Sequence, residues 1–355
     1  MDEHHQEGTV SRRQSLKLGV LAVGAISAPA CAGTAAGGLA VSAAGASVPA
    51  FKTRIAFDDP VWNRDTYARM DGEIDVSKQK ASRITGKVYS VRDNEKVRHL
   101  FDMDGFSVVR TIKLPDGNWR RLLKEVVFYR DAETGKIMDT WNNPYTNEAV
   151  KVVPIANDPF NYNIKDTQPE GPSYGGLNAV KPAPKPFLLD WTDLGDKLIL
   201  NTGIDLFYPA AMQPEQWPRE SAGTWNRVSE HFIFFLDKAD IENPAVTAIP
   251  VTGSWSRLTP WLPWMLMGQA DGCINYFCHF ATLKNGVADL PDDLVAAAKA
   301  IDPGYLVAPT EDYGPSLSSL ENYIKTQQPA AVPAGWRSPQ TPAAPPLPPF
   351  TRKPG

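Results

Sequence analysis

Apolar and polar residues alternate along most of the chain after residue 80, and a period of two is typical of β-strands. Phe106, Val108, Ile112 and Leu114 show the pattern clearly, because polar residues separate them. Clusters of turn residues recur between such runs, which favours sequential antiparallel hairpins. The pattern predicts strands near residues 84–88, 106–114, 119–130, 136–141, 149–155, 197–208, 226–237, 246–251 and 274–284.

Few segments have helical signals. Residues 60–70 are predicted to form a helix capped by Asp58 or Asp59, with Pro60 in its first turn. Residues 289–300, with Pro291 in the first turn, and residues 316–325 are the other two predicted helices. About ten sequential strands favour a barrel, since closure removes exposed sheet edges. We therefore expect a mainly β fold, an antiparallel meander that closes into a calycin- or lipocalin-like barrel with a few peripheral helices and a central cavity.

The N-terminus has the pattern of an export signal. Ser11-Arg12-Arg13 precedes an uncharged run at 18–30 that ends in Ala28-Pro29-Ala30, and paired arginines in this setting indicate the twin-arginine route of bacteria. Ser15 departs from the motif, which usually has Phe there. Cleavage after Ala30 or after Ala46 fits the small residues, and Cys31 leaves open a lipid-anchored N-terminus. We expect a periplasmic or secreted protein that uses the twin-arginine machinery.

This division gives four segments. Residues 1–48 form the signal peptide and a flexible leader, residues 49–80 an N-terminal arm, and residues 81–326 the barrel-like domain. Residues 166–186, rich in proline and glycine, form a long loop in that domain, and the proline-rich residues 327–355 form an extended, mobile tail.

Composition excludes several classes of function. A formal net charge of −4 gives no basic field for nucleic acid, and no apolar run after the leader is long enough to span a membrane. After the leader, Cys273 and Cys278 are too few for a disulfide scaffold, and we expect free thiols. No phosphate-binding glycine loop, nucleophile elbow or zinc-protease motif is present.

Several short motifs resemble a bacterial family catalogued as domain of unknown function 1838. They are Tyr129-Arg130-Asp131-Ala132-Glu133-Thr134-Gly135-Lys136, Trp141-Asn142-Asn143-Pro144-Tyr145, Ala156-Asn157-Asp158-Pro159 and Trp261-Leu262-Pro263-Trp264-Met265. The resemblance covers roughly residues 81–325 and implies a shared fold. Members of the family often carry twin-arginine leaders. The resemblance implies no reaction and no catalytic residues.

Charged residues on apolar strand faces are the candidates for chemistry. Arg110 shares a face with Phe106 and Val108, so it either anchors an anionic ligand group or forms a structural ion pair, for example with Glu125. On the strand at 226–237 both faces are largely apolar, so either His231 with Arg227, or Glu230, must lie in a dry environment suited to proton transfer. In each case a satisfied core polar group is the structural alternative.

A third candidate strand carries His279, which could meet His231 inside a barrel. Asp205 or Asp271 would complete a metal set, but the spacing does not favour one, and we assign no metal and no cofactor. Trp255, Trp261, Trp264, Met265 and Met267 form a cluster suited either to a core or lid or to contact with an aromatic ligand. The predicted catalytic residues are Arg110, Arg227, Glu230, His231 and His279, and the predicted ligand contacts are Glu125, Asn201, Trp225, Trp261, Trp264 and Met265.

Two classes of function fit these features. The first is a cofactor-independent lyase, isomerase or hydrolase acting on a hydrophobic or aromatic substrate, with an arginine stabilising an oxyanion. The second is a non-catalytic periplasmic carrier with the same pocket, and a third is an interaction module of the cell envelope. The enzyme hypothesis requires Arg110, Arg227, His231 and His279 to converge on one cavity.

Overall fold

The computed structural model describes residues 48–156, 161–168, 183–312 and 319–343. Several sequence predictions lie outside these residues: the export signal with Cys31, Asn157-Asp158-Pro159, most of the loop at 166–186, the start of the helix at 316–325 and the end of the tail. The described ranges contain the predicted core strands and the candidate site residues.

Antiparallel strands make up most of the described chain. They are β1 Lys80–Val91, β2 Arg98–Lys113, β3 Trp119–Arg130, β4 Thr140–Asn142, β5 Ala149–Lys151, β6 Ile155–Ala156, β7 Tyr162–Ile164, β8 Trp191–Leu194, β9 Lys197–Pro209, β10 Trp225–Asp237, β11 Thr252–Thr259 and β12 Cys273–Thr282. The helices are α1 Pro60–Asp71, α2 Lys238–Glu242, α3 Asp292–Ile301 and α4 Ser319–Thr326, and short 3-10 helices span Pro263–Met265, Gly286–Asp289 and Pro303–Leu306. The fold is mainly β, with few helices, as the alternation predicts.

Ten of the strands form one sheet in the order β6-β3-β2-β1-β12-β11-β10-β9-β8, with β7 also paired to β3. β4 and β5 form a separate hairpin. Every named pair is antiparallel. In the described part of the chain no strand pair joins β8 to the β6 and β7 end, so closure into a hydrogen-bonded barrel remains a prediction.

The sheet is strongly curved. β3 and β12 are separated in the sheet by β1 and β2, yet the hydroxyls of Tyr129 on β3 and Tyr276 on β12 lie 3.4 Å apart. Only a sheet that bends around its own inner face brings these side chains together. The main hydrophobic core fills this concave face, and a second, smaller core covers part of the convex face.

Helix α1 lies between the two ends of the sheet. The Asn63 Oδ1 atom accepts hydrogen bonds from the Leu189 amide at 3.1 Å and from Trp191 Nε1, at the start of β8, at 2.9 Å. On the other side, Asp65 Oδ1 accepts from Trp119 Nε1 of β3 at 2.9 Å. These contacts join α1 to β8 at one end of the sheet and to β3, which pairs with the short strands β6 and β7, at the other.

The convex face of β2 and β3 is covered by α3 and the Pro303–Leu306 turn. The contacts join two sets of buried side chains, Phe106, Val108, Val126 and Phe128 from the sheet and Leu290, Leu294, Ala298 and Tyr305 from the helical segment. By contrast, the convex face of β9 to β12 is open to solvent and carries the half-exposed Phe207, Trp225, Leu258 and Phe277.

Several element predictions are confirmed. Helix α1 starts at Pro60 and Asp59 is its cap, with Oδ1 accepting from the Val61 amide at 2.9 Å. Strand β3 spans residues 119–130, as predicted. The strand predicted at 246–251 is wrong, because the strand there is β11, which begins at Thr252. Among the described residues, both Cys273 and Cys278 are free.

The described part of the tail, 327–343, contains neither helix nor strand and is hydrogen-bonded to the body of the protein. The Ala330 amide donates to Glu220 Oε1 at 2.6 Å, and the Gln269 amide donates to Ser338 Oγ at 2.9 Å. The sequence predicts a mobile tail, whereas these contacts fix its described part. None of the helices in the described ranges has both the length and the apolar character needed to cross a membrane.

Candidate functional site

A pocket of about 270 Å³ opens on the concave side of the sheet. Its walls come from β3, β10, β11 and β12, from the turn at 260–264, from residues 153–156 and 210–222, and from one face of α4. Glu220 and Arg257 are the charged side chains among these wall residues. Apolar and aromatic walls with few polar groups are typical of small-molecule sites.

The register of the sheet places a polar row beside this pocket. Glu230 on β10 lies directly opposite Arg257 on β11, and Arg257 lies opposite Tyr276 on β12. Arg257 and Tyr276 line the pocket, whereas Glu230 lies behind the wall. Glu230 Oε2 accepts from Trp255 Nε1 at 3.0 Å, and Arg257 Nε lies 3.6 Å from Glu230 Oε1. This polar row, Glu230, Arg257 and Tyr276, reaches Tyr129 through the contact between the two tyrosine hydroxyls.

Burial shifts the pKa values of Glu230, Tyr129 and Tyr276 toward their neutral forms. Desolvation raises the pKa of Glu230, and the opposing effects of Arg257 and the Trp255 hydrogen bond are smaller. Desolvation also raises the pKa of Tyr129 to about 12 and the pKa of Tyr276 well above its ordinary value. Both phenols stay protonated at neutral pH. One hydroxyl donates to the other, and the second is left to donate a hydrogen bond to a ligand oxygen.

Aromatic rings form one side of the pocket. Trp264 packs against Tyr129 with ring centroids 5.3 Å apart, and Trp255 packs against Tyr276 at the same distance. Trp261 is buried, and its Nε1 donates to the Ala270 carbonyl at 3.1 Å. The predicted ligand contacts Trp261 and Trp264 are thus core residues that also line the pocket. Flat rings of this kind suit an aromatic ligand.

The opposite side of the pocket is formed by α4 and by Glu220. Glu220 is buried, and its Oε2 atom has no hydrogen-bond partner among the described residues. Tyr323 of α4 lies nearby, and burial, reinforced by Glu220, raises the pKa of its phenol. A buried carboxylate oxygen without a donor is costly. It is therefore a candidate acceptor for a hydroxyl or amine on a ligand.

Arg227 and His231 do not point into the interior. The even-numbered residues of β10, from Asn226 to Leu236, are buried on the concave face, and the odd-numbered side chains face outward. Arg227 is exposed over the Phe207 ring, and His231 is exposed with Nε2 3.2 Å from Ser229 Oγ. The prediction that both faces of this strand are covered is wrong, because the outer face is open to solvent. Only Glu230 of the three lies in the dry environment.

Arg110 and His279 also lie away from the pocket. Arg110 is on the convex face of β2, where its Nε donates to the Lys78 carbonyl at 2.7 Å and its Nη1 donates to the Ala308 carbonyl. The structure therefore pairs Arg110 with backbone carbonyls and not with Glu125. His279 is exposed on β12, and β11 lies between it and β10, the strand that carries His231. The four basic residues required by the enzyme hypothesis do not converge.

The remaining predicted contacts have three different environments. Asn201 and Trp225 are exposed on the convex face, and Trp225 stacks on Phe207 at 4.9 Å. Met265 is fully buried and does not line the pocket. Glu125 faces the interior but lies near Arg121, on the side of α1. Of the six predicted ligand contacts, only Trp261 and Trp264 line the pocket, and their role in binding stays a prediction.

The prediction missed both charged wall residues, Glu220 and Arg257, and the tyrosines Tyr129, Tyr276 and Tyr323. The alternation around Arg257 is weak, because Arg257 and Thr259 are themselves polar and Leu258 on the opposite face is apolar. The sequence instead predicts a strand one segment earlier, at 246–251. The tyrosines carry no local signal, since only the curvature of the sheet brings β3 to β12.

The described residues contain no group of three or more His, Cys, Asp or Glu side chains that could hold a metal ion. No curated protein matches the chain in a sequence comparison. The family model whose description is "Protein of unknown function (DUF1838)" matches residues 77–327, which include every strand and every wall of the pocket. The chain therefore belongs to this DUF1838 family.

Proposed function

We propose that the protein is exported and binds a small aromatic or similarly flat apolar molecule in the concave pocket. The observation that carries this proposal is the pocket itself: aromatic walls, a volume of about 270 Å³, and a polar row at one side. Ligand pockets of about 300–1,000 Å³ are usual, so this one suits a ligand of small size. In this proposal, the curved sheet and α1, which lies between its ends, form a calycin-like barrel around the ligand.

The polar groups indicate which substituents the ligand carries. One hydroxyl of the Tyr129–Tyr276 pair and the guanidinium of Arg257 can donate hydrogen bonds to a carbonyl or hydroxyl oxygen. Glu220, on the other side, can accept from a hydroxyl or an amine. The proposed ligand is thus a flat molecule with an acceptor at one end and a donor at the other.

The binding test compares a blocked pocket with an intact one. N-phenyl-1-naphthylamine, a neutral aromatic dye, is titrated into the protein without its leader, and its fluorescence reports binding. Ala222→Trp places a bulky side chain in the pocket wall, and we expect the affinity for the dye to fall about tenfold or more. Ala296→Trp, on the exposed face of α3, adds the same volume elsewhere and serves as the control.

Thr326→Trp, at the exposed mouth of the pocket on α4, repeats the test where Ala222→Trp does not fold. Equal dye affinity in the folded blocked variant and in the control would contradict the proposal. Mass spectrometry of the molecules extracted from the exported protein then identifies the natural ligand.

A catalytic role is the second candidate, and Glu230 is the observation that favours it. Its carboxylate is buried, its pKa is raised and it touches Arg257 of the pocket wall. A lyase, isomerase or hydrolase without a cofactor needs an oxyanion donor, and Glu230, from behind the pocket wall, would orient Arg257 for that role. Glu230→Gln should then abolish turnover of the extracted ligand while its binding persists. A carrier would show no turnover in either protein.

The proposal that the protein is exported rests on its N-terminal leader sequence. Replacement of Arg12 and Arg13 by lysine should retain the full-length precursor in the cytoplasm, because the paired arginines mark this route. Fractionation of cells followed by immunoblotting checks this. Lys17→Gln, which removes a neighbouring charge and keeps the arginine pair, is the control, and unchanged export of the Lys-Lys variant would remove the assigned location.

A further inference from the structure

A second, wider cleft lies outside the sheet at the turn between β1 and β2. Its volume is about 880 Å³, and its walls are residues 92 and 95–99, the Pro144-Tyr145 turn, and Pro339, Gln340 and Pro342 of the tail. The cleft shares no residue with the concave pocket. It is lined by charged side chains around one aromatic ring, which distinguishes its chemistry from that of the pocket.

Arg92 is the most unusual of these side chains. Its side chain is 2% exposed, and its guanidinium lies 4.6 Å from the centre of the Tyr145 ring. Its only carboxylate neighbour among the described residues is Glu95, at 3.7 Å, and Nη2 reaches the Pro339 carbonyl at a long 3.4 Å. Nε has no hydrogen-bond partner in the described part of the chain. A guanidinium carries five N–H donors, and a buried donor without a partner, such as Nε of Arg92, is costly.

A second guanidinium lies over the same ring. Arg98 is exposed, and its guanidinium carbon is 5.3 Å from the centre of the Tyr145 ring. Neither Arg98 nor Lys96 forms an ion pair with a described residue. The other acid near the cleft, Asp102, already accepts from His99 Nε2 at 2.7 Å. The positive charges of Arg92, Lys96 and Arg98 therefore face the single carboxylate of Glu95 in the cleft wall.

We propose that this cleft binds a small anionic molecule through a phosphate or carboxylate group held between Arg92 and Arg98. Both guanidinium carbons lie within 5.3 Å of the centre of the Tyr145 ring, and an oxyanion that contacts both groups would offset their charge and accept from the unpartnered Nε of Arg92. Lys96, at the rim, adds a third positive charge. The cleft is larger than a single phosphate, so the rest of the ligand lies along Tyr145 and the tail.

This site does not depend on the proposed function of the pocket. The two are neighbours, because the Tyr145 ring lies 5.7 Å from the Trp261 ring, which lines the pocket. Binding of an anion in the cleft can be measured without any ligand in the pocket. Failure of one proposal therefore leaves the other standing.

The test uses two oxyanion probes, pyrophosphate and citrate, titrated calorimetrically into the protein without its leader at low ionic strength and again at about 0.15 M. Arg98→Gln and Lys96→Gln change exposed side chains of the cleft, and Lys299→Gln removes an exposed lysine of α3 as the control. We expect the wild type and the control to bind at least one probe and Arg98→Gln to bind it about tenfold more weakly.

The preferred probe shows whether phosphate or carboxylate is the natural group. Absence of binding by either probe at low ionic strength, or equal affinity in Arg98→Gln, Lys96→Gln and Lys299→Gln, would overturn the proposal. The second result would mean that the anions respond only to the general charge of the surface. If Arg98→Gln does not fold, Lys96→Gln provides the binding test instead, because Lys96 is at the rim of the cleft.

Discussion

Lys80 is a buried lysine, and its environment disfavours the charged form of the side chain. Its Nζ donates to the carbonyls of Met70 and, at 2.8 Å, Ile249. Desolvation lowers its pKa to about 7, although Asp71 and Glu73 act in the opposite direction. Between pH 7 and the ordinary lysine pKa of 10.5, the unfolded chain binds the proton that the folded protein releases. The contribution of Lys80 to stability therefore increases as pH rises through this window.

This predicts a pH-dependent difference between the wild type and Lys80→Met. From pH 7 to pH 9 the wild type should gain free energy of unfolding relative to the variant, by up to about 1.4 kcal/mol for each pH unit. Urea unfolding at several pH values measures the difference. Lys299→Met, at an exposed lysine, should show none, and a flat difference for Lys80→Met would contradict the assignment.

Arg257 and Arg227 test the assignment of the strand faces. Arg257→Gln leaves Glu230 buried without its counter-charge, and breaking such a pair costs about 3–5 kcal/mol of unfolding free energy. Arg227→Gln changes an exposed side chain and should cost about 0.5 kcal/mol or less. Urea unfolding at pH 7 compares the two variants, and equal losses would mean that the polar row does not stabilise the fold.

At the scale of single residues, the sequence identifies the strand that carries the buried polar group. It does not show which face of that strand is buried. The alternation of β10 shows that either Glu230 or His231 faces the core, but both faces carry large apolar residues. Ile233 and Phe235 are each more than a third exposed, so they gave a false signal for a covered outer face. The choice depends on what lies above the sheet, and no residue of β10 encodes that.

The position of α1 depends on Asn63, whose side-chain amide is buried and has hydrogen-bond partners at both its nitrogen and its oxygen. Its Nδ2 donates to the carbonyls of Phe57 and Asp59, at 3.0 and 2.9 Å, and its Oδ1 accepts from Leu189 and Trp191. Asn63→Leu leaves these groups without partners at about 1–3 kcal/mol each. We therefore expect a loss of at least about 3 kcal/mol in urea unfolding.

Asn201→Leu is the matched control for this prediction, because Asn201 is exposed on β9. Its effect should stay within about 0.5 kcal/mol. If Asn63→Leu lost no more stability than Asn201→Leu, α1 would not hold the ends of the sheet together.

Local signals explain which elements are predictable. Asp59 and Pro60 mark the start of α1 because capping and the fixed φ of proline act within a few residues. The alternation does not reveal strand β11, because Gly253, Ser254 and Ser256 are small residues that are typical of loops. The burial of α1 was equally invisible, because its polar residues Asn63, Asp65 and Arg69 are satisfied by distant parts of the chain.

At the scale of the whole molecule, the described tail crosses the body beside both proposed sites. Arg219 Nη1 donates to the Ala331 carbonyl at 3.0 Å, and its guanidinium lies 5.3 Å from the centre of the Trp336 ring. Farther along, Pro339, Gln340 and Pro342 form one wall of the anion cleft. Composition predicts a mobile proline-rich tail because these partners lie more than a hundred residues away in sequence.

Gly268 is the position that lets the tail approach so closely. Its φ is +55°, and a Cβ atom there would lie 2.5 Å from Ser338 Oγ and 2.6 Å from the Trp336 ring. Gly268→Ala should therefore displace the tail, both by backbone strain and by the clash. The tail carries a trypsin site at Arg337, followed by Ser338, whose cleavage needs local release of the chain.

We expect trypsin to cut after Arg337 about ten times faster in Gly268→Ala than in the wild type, since proteolysis follows the population of the released form. Gly117→Ala is the control, because Gly117 has a φ of +85° but nothing within 4 Å of the added Cβ. It imposes a comparable strain in a turn that does not touch the tail. Mass spectrometry of the fragments over time gives both rates, and equal rates would show that the tail is held without the close approach at Gly268.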